Sequence, residues 1–219
     1  MSERRVWGIG TSRTMRPHWM LLELGLPYET RPILTRSEGM NDPDFRRLNQ
    51  RGKIPVLEDG DLVIGESGAI LLALADRYRD RAELAPEPAT PDRARFDDLC
   101  FYTLTELDAA LYVIRRHEGL PSIYGEAPAA CKAAREYFLR QVGEIERRLA
   151  DGRAHLMGDA FSAADILVSS CLEWAAVVSI PLSDPLLAYR ERVRARPAFA
   201  AAMERNFTPE ALAALAAPG

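Results

Sequence analysis

The chain has 219 residues, of which 47% are hydrophobic and 27% are charged, and its formal net charge is −4. This composition is ordinary for a globular protein with a buried core, built as one large domain or two small ones. The mild negative charge without a basic block argues against a nucleic-acid partner, and the lack of a long apolar run argues against a membrane span or a signal peptide.

Short strand and helix patterns alternate over the first 80 residues. Gly25 followed by Pro27 ends the first helix, and Asp59-Gly60 forms a hairpin turn between two strands. The patterns predict strands at 5–9, 28–33, 55–57 and 62–64 and helices at 15–24, 42–48 and 68–78. This β-α-β-α-β-β-α order predicts a thioredoxin-like α/β fold.

Residues 82–92 contain three prolines, a composition typical of a linker. No convincing strand follows, and helices are predicted at 92–117, 127–150, 162–179, 184–195, 197–205 and 209–216. We therefore expect a thioredoxin-like domain at 1–81, a linker at 82–92 and an all-helical domain at 93–219. In the helical part, Ser162 and Asp165 are predicted to form a capping box, which gives them a structural role.

The cysteines and histidines do not form a recognisable reactive or metal-binding pattern. The three cysteines are Cys100, Cys131 and Cys171. They lie far apart in predicted helices, so we expect buried, unpaired thiols in a reducing, cytoplasmic compartment. The three histidines are scattered, without cysteine or carboxylate at ligand spacing, so no metal site is predicted.

The most informative segment, residues 52–70, combines a strand start with a helix start. Pro55 has no backbone N–H, so it lies at a strand start and leaves the backbone of Ile54 able to pair with another group. Ser67 and the N–H groups after it form an anion site at a helix N-terminus. The neighbouring Glu66 suits an ammonium group. The pattern fits a ligand with peptide character and a free carboxylate; an ordinary hairpin followed by a capped helix is the alternative.

In this segment, and almost from end to end, the chain resembles the glutathione transferase family. In that family the residue before a cis-proline pairs through its backbone with the cysteinyl unit of glutathione, and a Glu/Gln-Ser pair holds the γ-glutamyl end. The resemblance implies the first role for Ile54 and Pro55 and the second for Glu66 and Ser67. It also implies that Lys53 contacts the glycine carboxylate of glutathione; a solvated loop lysine is the alternative.

Thr11, Ser12 and Arg13 precede the first helix, whose start we place near residue 14 or 15 because a proline such as Pro17 is tolerated only in a first turn. At this positive helix end, hydroxyl and guanidinium donors stabilise a thiolate. One hydrogen bond to a charged acceptor is worth about 1.5–3 kcal/mol, which lowers a thiol pKa by roughly one to two units. The loop resembles the serine-type loops of the family, with Ser12 as the first candidate for thiolate stabilisation, Thr11 as its rival and Arg13 in support. Helix capping is the alternative.

The resemblance implies a cytoplasmic transferase that joins glutathione to a small apolar electrophile, as in detoxification. It implies glutathione as co-substrate, no metal, a homodimer, and an apolar electrophile wall supplied by the helical domain. Two alternatives stay open. One is a glutathione-dependent isomerase of the zeta type, whose Ser-Ser-Cys-Ser loop this chain matches in part. The other is a non-catalytic glutathione-binding or scaffold protein.

Overall fold

A computed structural model of the protein describes residues 4–216. Four strands form one mixed sheet: β1 (Arg4–Trp7), β2 (Glu29–Arg31), β3 (Val56–Asp59) and β4 (Leu62–Gly65). The strand order is β2-β1-β3-β4, with β1 parallel to β2 and antiparallel to β3, and with β3 and β4 forming an antiparallel hairpin. The predicted strands are therefore present, in the predicted chain order.

The first two strands are shorter than the sequence patterns predict. β1 ends at Trp7 rather than at residue 9 because Gly8 adopts a φ of +109°, in the region that favours glycine. β2 covers only Glu29–Arg31 instead of 28–33. Pro32, directly after it, has no N–H to donate and therefore stops the ladder.

Three helices accompany the sheet: α1 (Ser12–Glu23), α2 (Pro43–Leu48) and α3 (Ser67–Arg77). A 3₁₀ turn, Glu38–Asn41, precedes α2. The predicted start of α1 near residue 14 or 15 is wrong, because α1 begins at Ser12 with Thr11 as its N-cap and Pro17 lies inside the helix. The reciprocal cap between Thr11 and Thr14 fixes the helix start upstream of the proline.

Helices account for the regular structure after residue 83: α4 (Pro91–Tyr102), α5 (Ala109–His117), α6 (Pro121–Tyr124), α7 (Pro128–Leu149), α8 (Ala163–Val177), α9 (Asp184–Arg194), α10 (Pro197–Asn206) and α11 (Pro209–Ala216). A π-helical segment, Thr103–Asp108, joins α4 to α5. The mixed sheet with its helices, followed by these helices, confirms the thioredoxin-like and all-α fold class.

The described chain divides into two compact units. One contains residues up to 83 together with those from 194 onwards, and the other contains residues 84–193. α10 and α11 thus pack with the sheet-containing unit. In the second unit α8 is buried along most of its length. Within residues 4–216, no helix combines the length and apolar character that crossing a bilayer requires.

Candidate functional site

The sheet register brings the predicted site segments to one edge of the sheet, the edge formed by the ends of the strands rather than by an outer strand. Trp7, at the end of β1, pairs with Val56 at the start of β3, which in turn pairs with Gly65 at the end of β4. The loop into α1 leaves this edge after β1. The Ile54–Pro55 segment enters it before β3, and the Glu66–Ser67 segment leaves it after β4. Residues far apart in the sequence therefore meet at this edge.

Ile54 lies against Gly8, and the two residues fit only because position 8 carries no side chain. A Cβ at Gly8 would lie 2.5 Å from the Cβ of Ile54, well inside van der Waals contact. The Ile54–Pro55 peptide bond is cis. Within the described part of the chain, the backbone N–H and C=O of Ile54 form no hydrogen bond with other backbone groups. The Ile54 backbone therefore has the unused donor and acceptor that strand-like pairing with a ligand requires.

The Ser67 hydroxyl is supported by a buried guanidinium. Ser67 is the first residue of α3 and only 5% exposed, and its Oγ accepts a hydrogen bond of 3.1 Å from Nη1 of Arg16. Arg16, in α1, is itself fully buried. Because a guanidinium only donates, the hydroxyl proton of Ser67 remains for another acceptor. Arg16 also adds positive charge beside the N-terminus of α3, which favours an anion there.

Glu66, the N-cap residue of α3, has a φ of +62°, which is unusual for a residue other than glycine. Its carboxylate is exposed and lies 3.4 Å from Nη1 of Arg51. Lys53 is also exposed. The loop that carries Arg51 and Lys53 is shaped by buried Asn49, whose Nδ2 donates to the Lys53 carbonyl at 2.6 Å and whose Oδ1 accepts from the Arg51 N–H at 3.1 Å. Lys53 thus lies in a loop with a defined backbone, and Glu66 contacts the same loop through Arg51.

At the start of α1, two threonines cap each other. The Thr11 Oγ1 accepts from the Thr14 N–H at 3.0 Å, and the Thr14 Oγ1 accepts from the Thr11 N–H at 2.9 Å. Thr14 is fully buried, whereas Thr11, Ser12 and Arg13 are partly exposed. Ser12 and Arg13 occupy the first two positions of the helix. The structure thus places all three candidates at the positive end of the helix, a few residues after Gly8 in the chain.

His18 supports the same edge from inside the protein. Its Nε2 lies 3.1 Å from the Gly8 carbonyl, and its Nδ1 lies 3.0 Å from the Tyr28 hydroxyl. Since a carbonyl only accepts, Nε2 carries the proton and Nδ1 accepts from Tyr28. Burial lowers the pKa of His18 from 6.5 to about 4, assisted by the nearby Arg205 charge and opposed by the Gly8 hydrogen bond. His18 is therefore neutral at pH 7.

Sequence reasoning missed three supporting residues: Arg16, His18 and Asn206. Arg16 and His18 lie inside the helix predicted at 15–24, where such side chains usually face solvent or pack in the ordinary way, so neither signals a supporting role. Asn206 lies at the end of α10 and is fully buried, and its side chain contacts both Thr11 and Thr14. Its separation from them along the chain leaves no local pattern to detect.

Two cavities in the described part of the chain lie away from the predicted site residues. A cavity of about 520 Å³ lies among α5, α6 and α7, and one of about 380 Å³ lies beside β1, β2 and α2. Neither is lined by any of the eight predicted site residues. Among residues 4–216 no cluster of three or more His, Cys, Asp or Glu side chains has the arrangement of a metal site.

Two family models match the chain. The glutathione S-transferase N-terminal domain matches residues 12–77, and the glutathione S-transferase C-terminal domain matches residues 128–205. The chain belongs to the glutathione S-transferase family. This finding confirms the resemblance drawn from the Ile54–Ser67 region, which lies inside the first matched range.

Solved structures of other family members share the fold along most of their length. A glutathione transferase from Methylococcus capsulatus is 30% identical with a TM-score of 0.81, and the match covers 93% of this chain and 98% of that one. A sphingomonad glutathione S-transferase complexed with glutathione is 28% identical with a TM-score of 0.79, covering 93% of this chain and 99% of that one.

Sequence similarity to curated relatives is strongest over shorter stretches. Glutathione S-transferase Z2 of Arabidopsis thaliana is 41% identical over 64 residues, which is 29% of this chain and 26% of that protein. The chain thus spans a third or less of the length of the first curated relatives it matches. The chain shares a family with these proteins.

Proposed function

We propose that this member of the glutathione S-transferase family binds glutathione at the sheet edge formed by the α1 N-terminus, Ile54–Pro55 and Glu66–Ser67. The observation that carries the proposal is the register that joins Trp7, Val56 and Gly65, because it brings a peptide-pairing backbone and an anion site to the same edge. The sphingomonad relative, which shares the fold and was solved with glutathione, supports the same ligand class.

The γ-glutamyl end of glutathione suits the start of α3. Its carboxylate would accept from the Ser67 hydroxyl, whose oxygen already accepts from Arg16, and from the N–H groups of the first helical turn. The ammonium group would pair with the exposed Glu66 carboxylate. Arg51, 3.4 Å from Glu66, competes for the same carboxylate and is displaced or shared when the ligand binds.

The remainder of the tripeptide suits the next two segments. The cysteinyl unit would pair strand-fashion with the Ile54 backbone, which lies directly before β3. The glycine carboxylate would meet the exposed Lys53 ammonium. This orientation directs the cysteine sulfur toward the start of α1, where Thr11, Ser12 and Arg13 lie.

The proposed reaction is attack of the glutathione thiolate on an electrophilic carbon. Ser12 donates a hydrogen bond to the sulfur, Arg13 adds positive charge and the α1 dipole favours the anion, so the thiol loses its proton to solvent near neutral pH. The sulfur then forms a bond to carbon, and the leaving group departs with its electron pair or the double-bond electrons take up a proton.

Calorimetry on two variants tests the binding site. Ser67→Ala removes one donor to a carboxylate, so glutathione affinity should fall by about 1.5–3 kcal/mol, or roughly ten- to a hundredfold. Glu66→Ala should also weaken binding, by a smaller factor because the carboxylate is exposed. The exposed residues Ser122 and Glu38 provide matched controls, and Ser122→Ala and Glu38→Ala should leave the affinity unchanged. Unchanged affinity in both site variants would contradict the assignment.

A second candidate function is glutathione-dependent isomerisation, favoured by the 41% identity to Arabidopsis glutathione S-transferase Z2, a zeta-type relative. In that reaction the thiolate adds to a conjugated double bond, the new single bond rotates, and elimination returns the isomer and intact glutathione. Measuring the amount of glutathione consumed per product separates the two: one equivalent for conjugation, none for isomerisation. Binding without turnover across both assays would favour a non-catalytic binding or scaffold protein.

The proposed function also includes an oligomeric state, a cellular compartment and a physiological role. We propose a homodimer, which light scattering would show as twice the mass of the chain. The three cysteines are free and buried, which suits a reducing compartment such as the cytoplasm. A role in detoxification follows if the preferred electrophiles are small, apolar and chemically reactive.

A further inference from the structure

Asn206 ties the end of α10 to the loop that starts α1. Its Nδ2 donates to the Thr11 carbonyl at 3.0 Å, its Oδ1 accepts from the Thr14 hydroxyl at 2.7 Å, and its backbone carbonyl accepts from the Gly10 N–H at 2.8 Å. The residue is fully buried. Three hydrogen bonds from one residue therefore hold the segment that carries the candidate hydroxyls.

These contacts fix the direction of the Thr14 hydroxyl. The Thr11 carbonyl only accepts, so the Asn206 amide must turn its Nδ2 to it and its Oδ1 to Thr14. That carbonyl also accepts from the Met15 N–H at 3.0 Å, so both of its lone pairs are used. Although the Thr14 hydroxyl lies 2.9 Å from the same carbonyl, its proton is best placed on Asn206, at the shorter distance of 2.7 Å.

The direction of the Thr11 hydroxyl follows from that of Thr14. With its proton given to Asn206, the Thr14 Oγ1 can only accept, and its two partners are the Thr11 N–H at 2.9 Å and the Thr11 hydroxyl at 3.0 Å. The Thr11 Oγ1 meanwhile accepts from the Thr14 N–H. The Thr11 proton therefore points into the cap and away from the sheet edge.

The hydroxyl of Ser12, unlike that of Thr11, is not committed to the cap. It occupies the first helical position and is partly exposed, and its side chain is engaged in no hydrogen bond with the described residues. We infer that Asn206 is a positioning residue, which holds the cap so that Ser12, and not Thr11, offers its hydroxyl to the glutathione sulfur. This inference rests on the proposed function.

The test compares Asn206→Leu with the unchanged protein. Leucine keeps the branched arrangement of side-chain heavy atoms but removes both side-chain hydrogen bonds. The thiol pKa of bound glutathione, read from thiolate absorbance against pH, should rise by about one unit, with about a tenfold loss of kcat at pH 7 that shrinks at higher pH. The KM for glutathione, measured with chlorodinitrobenzene as the electrophile, should change less than about twofold. In a Ser12→Ala background, Asn206→Leu should add no further shift of the thiol pKa.

Phe199→Leu is the matched control for general loosening of α10. Phe199 packs edge-on against Trp19 of α1, with ring centroids 5.0 Å apart. The hydrogen bonds of the cap run among Thr11, Thr14 and Asn206 and do not involve Phe199. This variant should lower the unfolding midpoint without moving the thiol pKa. If Asn206→Leu fails to fold, Asn206→Gln retains the amide but displaces it by one methylene, and it should raise the thiol pKa in the same direction.

Three results would overturn the inference. In the first, the thiol pKa in Asn206→Leu is no higher than in the unchanged protein or in Phe199→Leu. If the leucine variant does not fold, the same comparison is made with Asn206→Gln. In the second, the shift from Asn206→Leu is added in full to that of Ser12→Ala. In the third, the unchanged protein does not bind glutathione in calorimetry, which overturns the proposed function as well. If the thiol pKa is low in the unchanged protein and equally low in the Asn206 variant, the inference fails but the proposed function stands.

Discussion

At the scale of single residues, Thr11 and Ser12 carry adjacent hydroxyls in different surroundings. We predict that Ser12→Ala raises the thiol pKa of bound glutathione by roughly one to two units, since one hydrogen bond to the sulfur anion is lost. Thiolate absorbance against pH measures this shift. Glutathione affinity should stay nearly intact, and the loss of rate at pH 7 should shrink as pH rises.

Thr11→Val provides the comparison. It removes the N-cap acceptor for the Thr14 N–H, so thermal unfolding should show a loss of about 1–2 kcal/mol in stability. Its effect on the thiol pKa should be smaller than that of Ser12→Ala. A large shift with Thr11→Val and none with Ser12→Ala would transfer the role to Thr11. If neither variant shifts the titration, Arg13 and the backbone N–H groups become the leading explanation.

We predict that burial of His18 makes the free energy of unfolding depend on pH. Its pKa is about 4 in the folded protein against 6.5 for the free side chain, so the unfolded chain binds the extra proton between these values. The contribution of neutral His18 is complete above pH 6.5 and is lost as pH falls toward 4. One pKa unit corresponds to about 1.4 kcal/mol, so the loss is about 3 kcal/mol.

Denaturant unfolding at several pH values measures this effect as the difference between the unchanged protein and His18→Gln. Tyr28 and Arg205 face the imidazole and are common to both proteins, so the difference isolates the histidine. The unchanged protein should lose more stability between pH 7 and pH 4.5 than the variant. Parallel curves for His18→Gln would contradict the assignment of a buried neutral imidazole.

At the scale of elements, α8 depends on one buried carboxylate. Asp165 is fully buried; its Oδ2 accepts from the Ser162 N–H and hydroxyl, each at 2.9 Å, and its Oδ1 accepts from the Leu156 N–H at 3.0 Å and the Tyr189 hydroxyl at 2.8 Å. The predicted capping box is thus confirmed, and two further elements converge on it. The carboxylate joins the start of α8 to the preceding loop and to α9.

We predict that Asp165→Ala lowers the free energy of unfolding by about 3 kcal/mol, because it leaves several buried donors without an acceptor. Calorimetric unfolding should show a fall of roughly 6–12 °C in the midpoint for a chain of this size. Asp184→Ala, which removes an exposed acidic residue from the first turn of α9, should cost less than about 1 kcal/mol. An unchanged midpoint with lost activity would assign Asp165 to the chemistry instead.

At the scale of the whole molecule, the sheet-containing unit is completed by the last helices of the chain. The Arg196 guanidinium forms two hydrogen bonds of 2.7 Å with the Glu23 carboxylate, which also accepts from Trp19 Nε1 at 3.0 Å. Trp19 packs against Phe199. α1 is therefore buried partly by residues that follow position 194, and a domain ending at residue 81 lacks this cover.

We predict that a fragment of residues 1–83 does not unfold cooperatively on heating, because fully buried α1 side chains such as Trp19 lose their partners and the Glu23 carboxylate loses its counter-ion. Circular dichroism against temperature and limited proteolysis measure this. The same fragment joined through a flexible Gly/Ser linker to residues 194–219 should recover a cooperative transition. Cooperative unfolding of the fragment alone would show that the domain predicted at 1–81 folds independently.

The sequence by itself determined the features that depend on neighbouring residues. The order of strands and helices over the first 80 residues, the Asp59-Gly60 turn, the Ser162–Asp165 capping box and the motif from Ile54 to Ser67 all rest on local periodicity, turn chemistry and short-range hydrogen bonds. The helix predicted at 92–117 is instead divided by the segment Thr103–Asp108, and α6 was not predicted. The resemblance to the family followed from the motif from Ile54 to Ser67, and the family models confirmed it. The error in the predicted start of α1, at residue 14 or 15, also has a local cause. The Thr11–Thr14 cap starts the helix at Ser12, although Pro17 then lies inside it.

Only the tertiary structure decided which distant residues support the site. Arg16 reaches Ser67 across 51 positions of sequence, and Asn206 reaches Thr14 across 192. His18 keeps its neutral form, and its hydrogen bond to Gly8, well below pH 6.5 because the folded protein removes it from water. A sequence pattern reports the preferences of neighbouring residues, whereas desolvation and long-range hydrogen bonds arise from the packing of elements, and that packing determined the surroundings of each candidate hydroxyl.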